Sequence, residues 1–75
     1  MTDYEIRDTI RNRLIECRIE SNLTQKEVGE VVVKKSSNAV ASWEQGLSLP
    51  DIVTLFRLAK YYGKSLDFMF GEKEL

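Results

Sequence analysis

The sequence predicts an all-α fold, a compact five-helix bundle forming a single domain over residues 1–75. Three observations predict it. Residues that cap helix N-termini recur at Thr2, Thr24, Ser36 or Ser37, Asp51 and Ser65, and the segments they open are closed by Asn22, Gly46, Gly63 and Gly71. Between these signals apolar residues return every three or four positions, the spacing of one helical face. No two alternating segments flank a hairpin turn, so the β-branched run Val31–Val33 has no strand to pair with. The helices are placed near 3–21, 24–33, 37–45, 51–62 and 65–70.

The first helix opens with the capping box Thr2-x-x-Glu5, in which each residue satisfies the other's backbone N–H. Ile6, Ile10, Leu14 and Cys17 form its inner face, and Asn22 tolerates the left-handed backbone of a helix terminus. Thr24-x-x-Glu27 repeats the box and starts the second helix, with Val28 and Val32 one turn apart and facing inward. Gly29 sits in that helix at a cost of about 1 kcal/mol relative to Ala. Either another helix approaches closely there, or the position is a weak spot. Lys34 to Ser37 is polar and turn-like. The third helix follows, with Val40 and Trp43 inward and Gly46 at its end. In "LSLPD" Pro50 blocks helix formation before it and Asp51 caps the fourth helix. Ile52, Leu55, Phe56, Leu58, Ala59 and Tyr62 give that helix a broad apolar face. Ser65 opens a short fifth helix, "LDFMF", and Glu72 to Leu75 form a polar tail.

Composition narrows the function. The chain has 11 Lys+Arg against 12 Asp+Glu, a formal charge of −1, and neither residues 1–23 nor 24–46 hold a basic excess. Any positive face must come from folding. There is no histidine, which removes the commonest general base, the Ser-His and Cys-His nucleophile pairs and His-ligated metal sites. The single Cys17 makes neither an internal disulfide nor a Cys-rich zinc site, and it suits a reducing cytoplasm. No apolar stretch approaches the ~20 residues of a membrane span. The start, "MTDYEIRD", lacks the basic and apolar regions of a signal peptide. A cytoplasmic protein that is not an enzyme is expected, with no cofactor, no metal and no small-molecule site.

Three segments, "CRIESNLTQKEVGE", "NAVASWEQG" and "PDIVTLFRLAKYYGKSLDFMF", occur in this order at near-family spacing. On them the chain resembles the lambda-repressor/Cro-like (XRE-type) helix-turn-helix DNA-binding domains, over about residues 6 to 70. The resemblance implies that Gly29 occupies a small-residue position crossed by the third helix. It makes Cys17 a buried filler where Leu is usual. It also makes Arg18 and Glu44 an interior ion pair. Two departures stand out. From Gln25 to Trp43 the chain is one residue longer than the usual pattern, and the turn lacks its glycine, with Val33 or Lys34 in its place. The extra residue is expected in the turn, around residues 33–36. The loop after Gly46, often basic in the family, here reads "LSL", with Leu47 and Leu49 either packed inside or forming an apolar patch.

The family mechanism puts the third helix in the DNA major groove. The resemblance then places base readout on Ser37, Asn38, Ala39 and Ser42. Asn38 leads because a carboxamide bonds adenine N6 and N7 together. Phosphate contacts fall to Gln25, Lys34, Lys35, Gln45 and Gly46. The partner implied is double-stranded DNA, bound as a homodimer, with Phe68, Tyr61 and Phe70 as dimer candidates and Phe68 the most exposed of them. The function expected is a sequence-specific transcriptional regulator, a repressor of bacterial or phage type. The alternative is a protein-interaction module of the same fold, antitoxin-like or pairing with a regulator, with DNA binding weak or lost.

Overall fold

The computed structural model describes residues 2–72. Among them are α1 (Asp3–Glu20), α2 (Gln25–Glu27) running directly into a π-helical turn (Val28–Val32), α3 (Ser37–Glu44), α4 (Ile52–Tyr62) and α5 (Leu66–Met69), with no strand. The end of the expected polar tail, residues 73–75, lies outside the described residues.

The helix starts follow from their caps. At Thr2 the side chain accepts from the Glu5 N–H at 3.1 Å, and the Thr2 N–H donates to the Glu5 carboxylate at 2.9 Å. Thr24 and Glu27 repeat the arrangement at the same distances. Ser36, not Ser37, caps α3, so Ser37 is its first residue. Asp51 accepts from the N–H and the hydroxyl of Thr54, at 2.8 and 3.1 Å. α1 ends with Asn22 in the left-handed region, φ 57°, and the Leu23 N–H on the Arg18 carbonyl.

α1 contributes Ile10, Leu14 and Cys17 to the core. Val28 and Val33, Val40 and Trp43 of α3, Leu55, Leu58 and Ala59 of α4, and Met69 of α5 complete it. Burial also pushes the Cys17 thiol up, which keeps it protonated and unreactive.

The extra residue falls in the helix, not in the turn. Val28 to Val32 widen by one residue, and the Val33 N–H reaches the Val28 carbonyl five positions back at 3.2 Å. The inward face therefore repeats at five. Val28 and Val33 are 2% and 4% exposed, while Val32, expected to end that face, is only partly buried. Lys34 takes the left-handed conformation of the missing glycine, φ 57°, a strain of about 1 kcal/mol for a side chain bearing Cβ. Gly29 is explained by a close approach, but the approaching group is the turn. A Cβ at Gly29 would stand 2.6 Å from the Lys35 carbonyl oxygen and 3.0 Å from Ser36 backbone atoms. The Lys35 N–H donates to the Gly29 carbonyl at 2.6 Å.

Other expectations change because the bundle covers only one side of α4. Leu55, Leu58 and Ala59 are buried, but Ile52 is 61% and Phe56 49% exposed, joined by Val53 at 57%. At 100° per residue these three share one arc of the helix, beside the arc that carries Leu55, Leu58 and Ala59. The "LSL" loop splits: Leu49 packs against the core and Leu47 is 75% exposed. Phe68 is not the exposed aromatic. It is half-buried, with the Arg13 guanidinium 4.5 Å and the Lys64 ammonium 4.8 Å from its ring centroid.

α1 and α3 are joined by charge as well as by packing. Arg18 Nε and Nη2 donate to the two oxygens of Glu44 at 2.7 and 2.9 Å, and Nη1 donates to the Leu23 carbonyl at 2.9 Å. The Arg18 and Glu44 side chains are 18% and 8% exposed. The bidentate bond raises the Arg18 pKa against the opposing effect of burial, so the guanidinium stays charged.

Three outcomes follow from these contacts. Gly29→Ala is expected to lower stability in urea unfolding by about 1–3 kcal/mol, because its neighbour is backbone that cannot step aside. Val31→Ala, at a 63% exposed position in the same turn, should change it far less. Arg18→Ala should lose about 3–5 kcal/mol by stranding the buried Glu44 carboxylate, and an Arg18→Met, Glu44→Leu double variant should recover most of that loss. The third concerns acid. Bonds from Thr54 backbone and hydroxyl, then the charge of Lys35, hold the Asp51 carboxyl below its usual 3.8. A depressed folded-state pKa contributes stability above 3.8 that disappears as pH falls through the lower folded value. Asp51→Asn, which still caps, should remove this part of the acid destabilisation in unfolding curves recorded at successive pH values.

Candidate nucleic-acid interface

The first turn of α3 carries the strongest candidates. Ser37 and Asn38 are exposed. Among the described residues nothing holds the Asn38 carboxamide, so both its donor and its acceptor face solvent. Ser42 lies one turn further along the same face. Its hydroxyl is 2.7 Å from that of Ser48, which ties α3 to the loop that follows it. Ala39 leans on the core and is partly buried. The four expected readout residues thus divide into two unengaged side chains, one tethered hydroxyl and one packing residue.

Lys34 and Lys35 are both exposed on the turn that precedes α3. The charge of Lys35 adds a lesser lowering to the Asp51 carboxyl than the Thr54 hydrogen bonds do. On the far side of α3, Gln45 and Gly46 are exposed, with Gly46 at φ 79°. Their amides are already used: Gln45 N–H donates to Ala41 at 2.9 Å and Gly46 N–H to Trp43 at 3.2 Å. What this corner offers is the Gln45 side chain, not the Gly46 backbone donor expected from the sequence.

Two further residues belong to that corner and were not singled out from the sequence. Arg7 and Arg11 of α1, one helical turn apart, line a cleft of about 380 Å³ together with Tyr4, Gln45, Gly46 and Ser48. Arg11 is paired with Asp8 at 2.6 Å. The spacing of four put both arginines on one face of α1. Their proximity to residues 45–48 is a consequence of how α1 crosses α3, which no local pattern records.

Gln25 opens the second helix, and its side chain turns inward. Its Nε2 donates to Glu44 Oε1 at 3.1 Å, beside the Arg18 pair. The remaining aromatic candidates also separate. Tyr61 is 51% exposed and stacks edge-on against Tyr62 at 5.6 Å. Phe70 is partly buried and packs against the core. Among the described residues there is no group of three His, Cys, Asp or Glu able to hold a metal, and no helix is long and apolar enough to cross a membrane.

No curated protein and no solved structure matches the chain. A family model described as Helix-turn-helix matches residues 14–69, from the buried Leu14 of α1 to the buried Met69 of α5, and so takes in all of the core except Ile10. The chain belongs to the XRE-type, lambda repressor/Cro-like helix-turn-helix family of DNA-binding regulators.

Proposed function

We propose that this protein is a sequence-specific double-stranded DNA-binding repressor that acts in the cytoplasm as a homodimer. The observation that carries the reading is the first turn of α3: an exposed, unengaged Asn38 beside Ser37, entered from a turn bearing Lys34 and Lys35. Asn38 reads a base edge, and Ser37 and Ser42 make less selective hydroxyl contacts. Lys34, Lys35 and Gln45 take phosphates on either side of α3 and fix its register without reading sequence. Repression by occupancy needs nothing beyond this surface.

With a net charge of −1, one copy binds DNA only modestly, because phosphate neutralisation supplies much of the affinity. Two copies double those contacts and set two α3 helices ~34 Å apart along one face of the duplex. The surface for the second copy is the outer face of α4, where Ile52, Val53 and Phe56 are exposed. The same apolar face favours one other reading, a module that pairs with a different protein and has lost selective DNA binding.

Selection of bound sequences from a random duplex pool, followed by titration with salt and a mass measurement of the complex, separates the two. A repressor prefers the selected duplex over random DNA, with log affinity falling steeply against log salt. Equal binding to both, or none, would sink the proposal. Asn38→Ala should relax preference at one base position, at a cost of ~1–3 kcal/mol, whereas Lys35→Ala should weaken all duplexes alike and flatten the salt slope by about one unit.

A further inference from the structure

Glu44 makes more bonds than its ion pair requires. Its Oε2 accepts from Arg18 Nε at 2.7 Å, and its Oε1 accepts both Arg18 Nη2 at 2.9 Å and Gln25 Nε2 at 3.1 Å. The carboxylate is 8% exposed, so it is a fixed point within the packed interior. An ionised carboxylate only accepts hydrogen bonds, and this settles which way the Gln25 carboxamide faces. Its nitrogen must point to Glu44 and its oxygen away. One of the two Nε2 hydrogens is thereby spent, and the other is left.

We infer that Glu44 is a positioning residue for DNA binding, holding the Gln25 carboxamide so that its remaining Nε2 hydrogen serves a backbone phosphate. The inference rests on the DNA-binding reading above. A phosphate oxygen accepts and does not donate, so of the two ends of the amide only the nitrogen suits it. A phosphate drawn near Glu44 would be repelled by a bare carboxylate. Arg18 removes that repulsion: it bonds both oxygens, and its raised pKa keeps it charged throughout the working pH range. An untethered glutamine at a helix start loses rotamer freedom when it meets its ligand, and a tethered one has lost it already. That difference corresponds to roughly threefold to tenfold in affinity. Because Glu44 sits in the last turn of α3, the same carboxylate fixes the phosphate-gripping residue of the second helix relative to the helix that reads bases.

The test is a double-mutant cycle on the selected duplex and on random duplex, with unfolding stability measured in parallel. Glu44→Asp keeps a charge for Arg18 but withdraws the oxygen from Gln25 by one methylene. Gln25→Ala and Glu44→Asp should each weaken binding to both duplexes by roughly threefold to tenfold, and the double variant should bind no more weakly than Gln25→Ala alone. The stability loss from Glu44→Asp should be smaller once Gln25 has been removed, because the hydrogen bond between the two is then already gone. If Glu44→Asp weakens binding by the same factor after Gln25 has been removed, or not at all while Gln25 is present, the positioning role is overturned although DNA binding stands. If the parent protein binds no duplex, the DNA-binding reading falls and this inference falls with it. A readout that needs neither variant nor DNA is the side-chain amide resonance of Gln25 in the free protein. One Nε2 proton should be shifted and slow to exchange with water, and two protons with the shifts and fast exchange of a solvent-exposed carboxamide would overturn the proposal.

Discussion

The way α3 is set against the first two helices depends on one buried carboxylate. Glu44 sits where water cannot compensate its charge, so groups from two other segments converge on it: Arg18 from α1 and Gln25 from the second helix. Arg18 in turn bonds the Leu23 carbonyl and so holds the connection between α1 and α2. A cluster of this kind contributes uncertain net stability, since its desolvation cost offsets much of its attraction. Its value is geometric. It leaves the helix pair only one arrangement in which no buried charge is abandoned, and that arrangement presents the first turn of α3 to solvent.

The apolar core does the complementary work of holding the bundle together at small size. Trp43 and Val40 place α3 against α1, and Met69, fully inaccessible, brings the short α5 back to the same cluster. A chain this short has little surplus core, so one inserted residue is a serious disturbance. The molecule absorbs it by expanding a helical turn instead of lengthening a loop. With Val28 and Val33 five positions apart, both reach the core through a π-helical turn. A helix of ordinary pitch would have buried Val32 and left Val33 in the turn. The absence of a side chain at Gly29 lets the returning backbone of Lys35 and Ser36 pass close by. The two oddities of the second helix, its valine run and its glycine, are therefore one adaptation.

Charge on this protein is arranged, not abundant. Several cations are tied up: Arg18 by Glu44, Arg11 by Asp8, and Arg13 by Glu16 and the Phe68 ring. Lys34 and Lys35 stay exposed on the turn before α3. Sorting of this kind lets a chain of near-zero net charge show a local positive edge, and composition alone conceals it.

The sequence left the cap of α3 open between Ser36 and Ser37, but by itself it determined the other four helix starts, the left-handed Asn22 and the inner face of α1. Each rests on groups within a few residues of one another: a cap and the N–H three positions on, or side chains one helical turn apart. It also put Arg18 near Glu44 through the family pattern. Tertiary structure alone decided where the extra residue goes, because the choice between Val32 and Val33 depends on which of them the core from α3 and α4 can receive. It decided that Ile52 and Phe56 face outward, since an apolar stripe shows that a helix has a face but not how much of it neighbours will cover. It decided that Phe68 is enclosed by Arg13 and Lys64, that Arg7 and Arg11 stand beside Gln45, and that Gln25 leans on Glu44. Those facts depend on crossings between helices distant in sequence, and no local periodicity encodes a crossing.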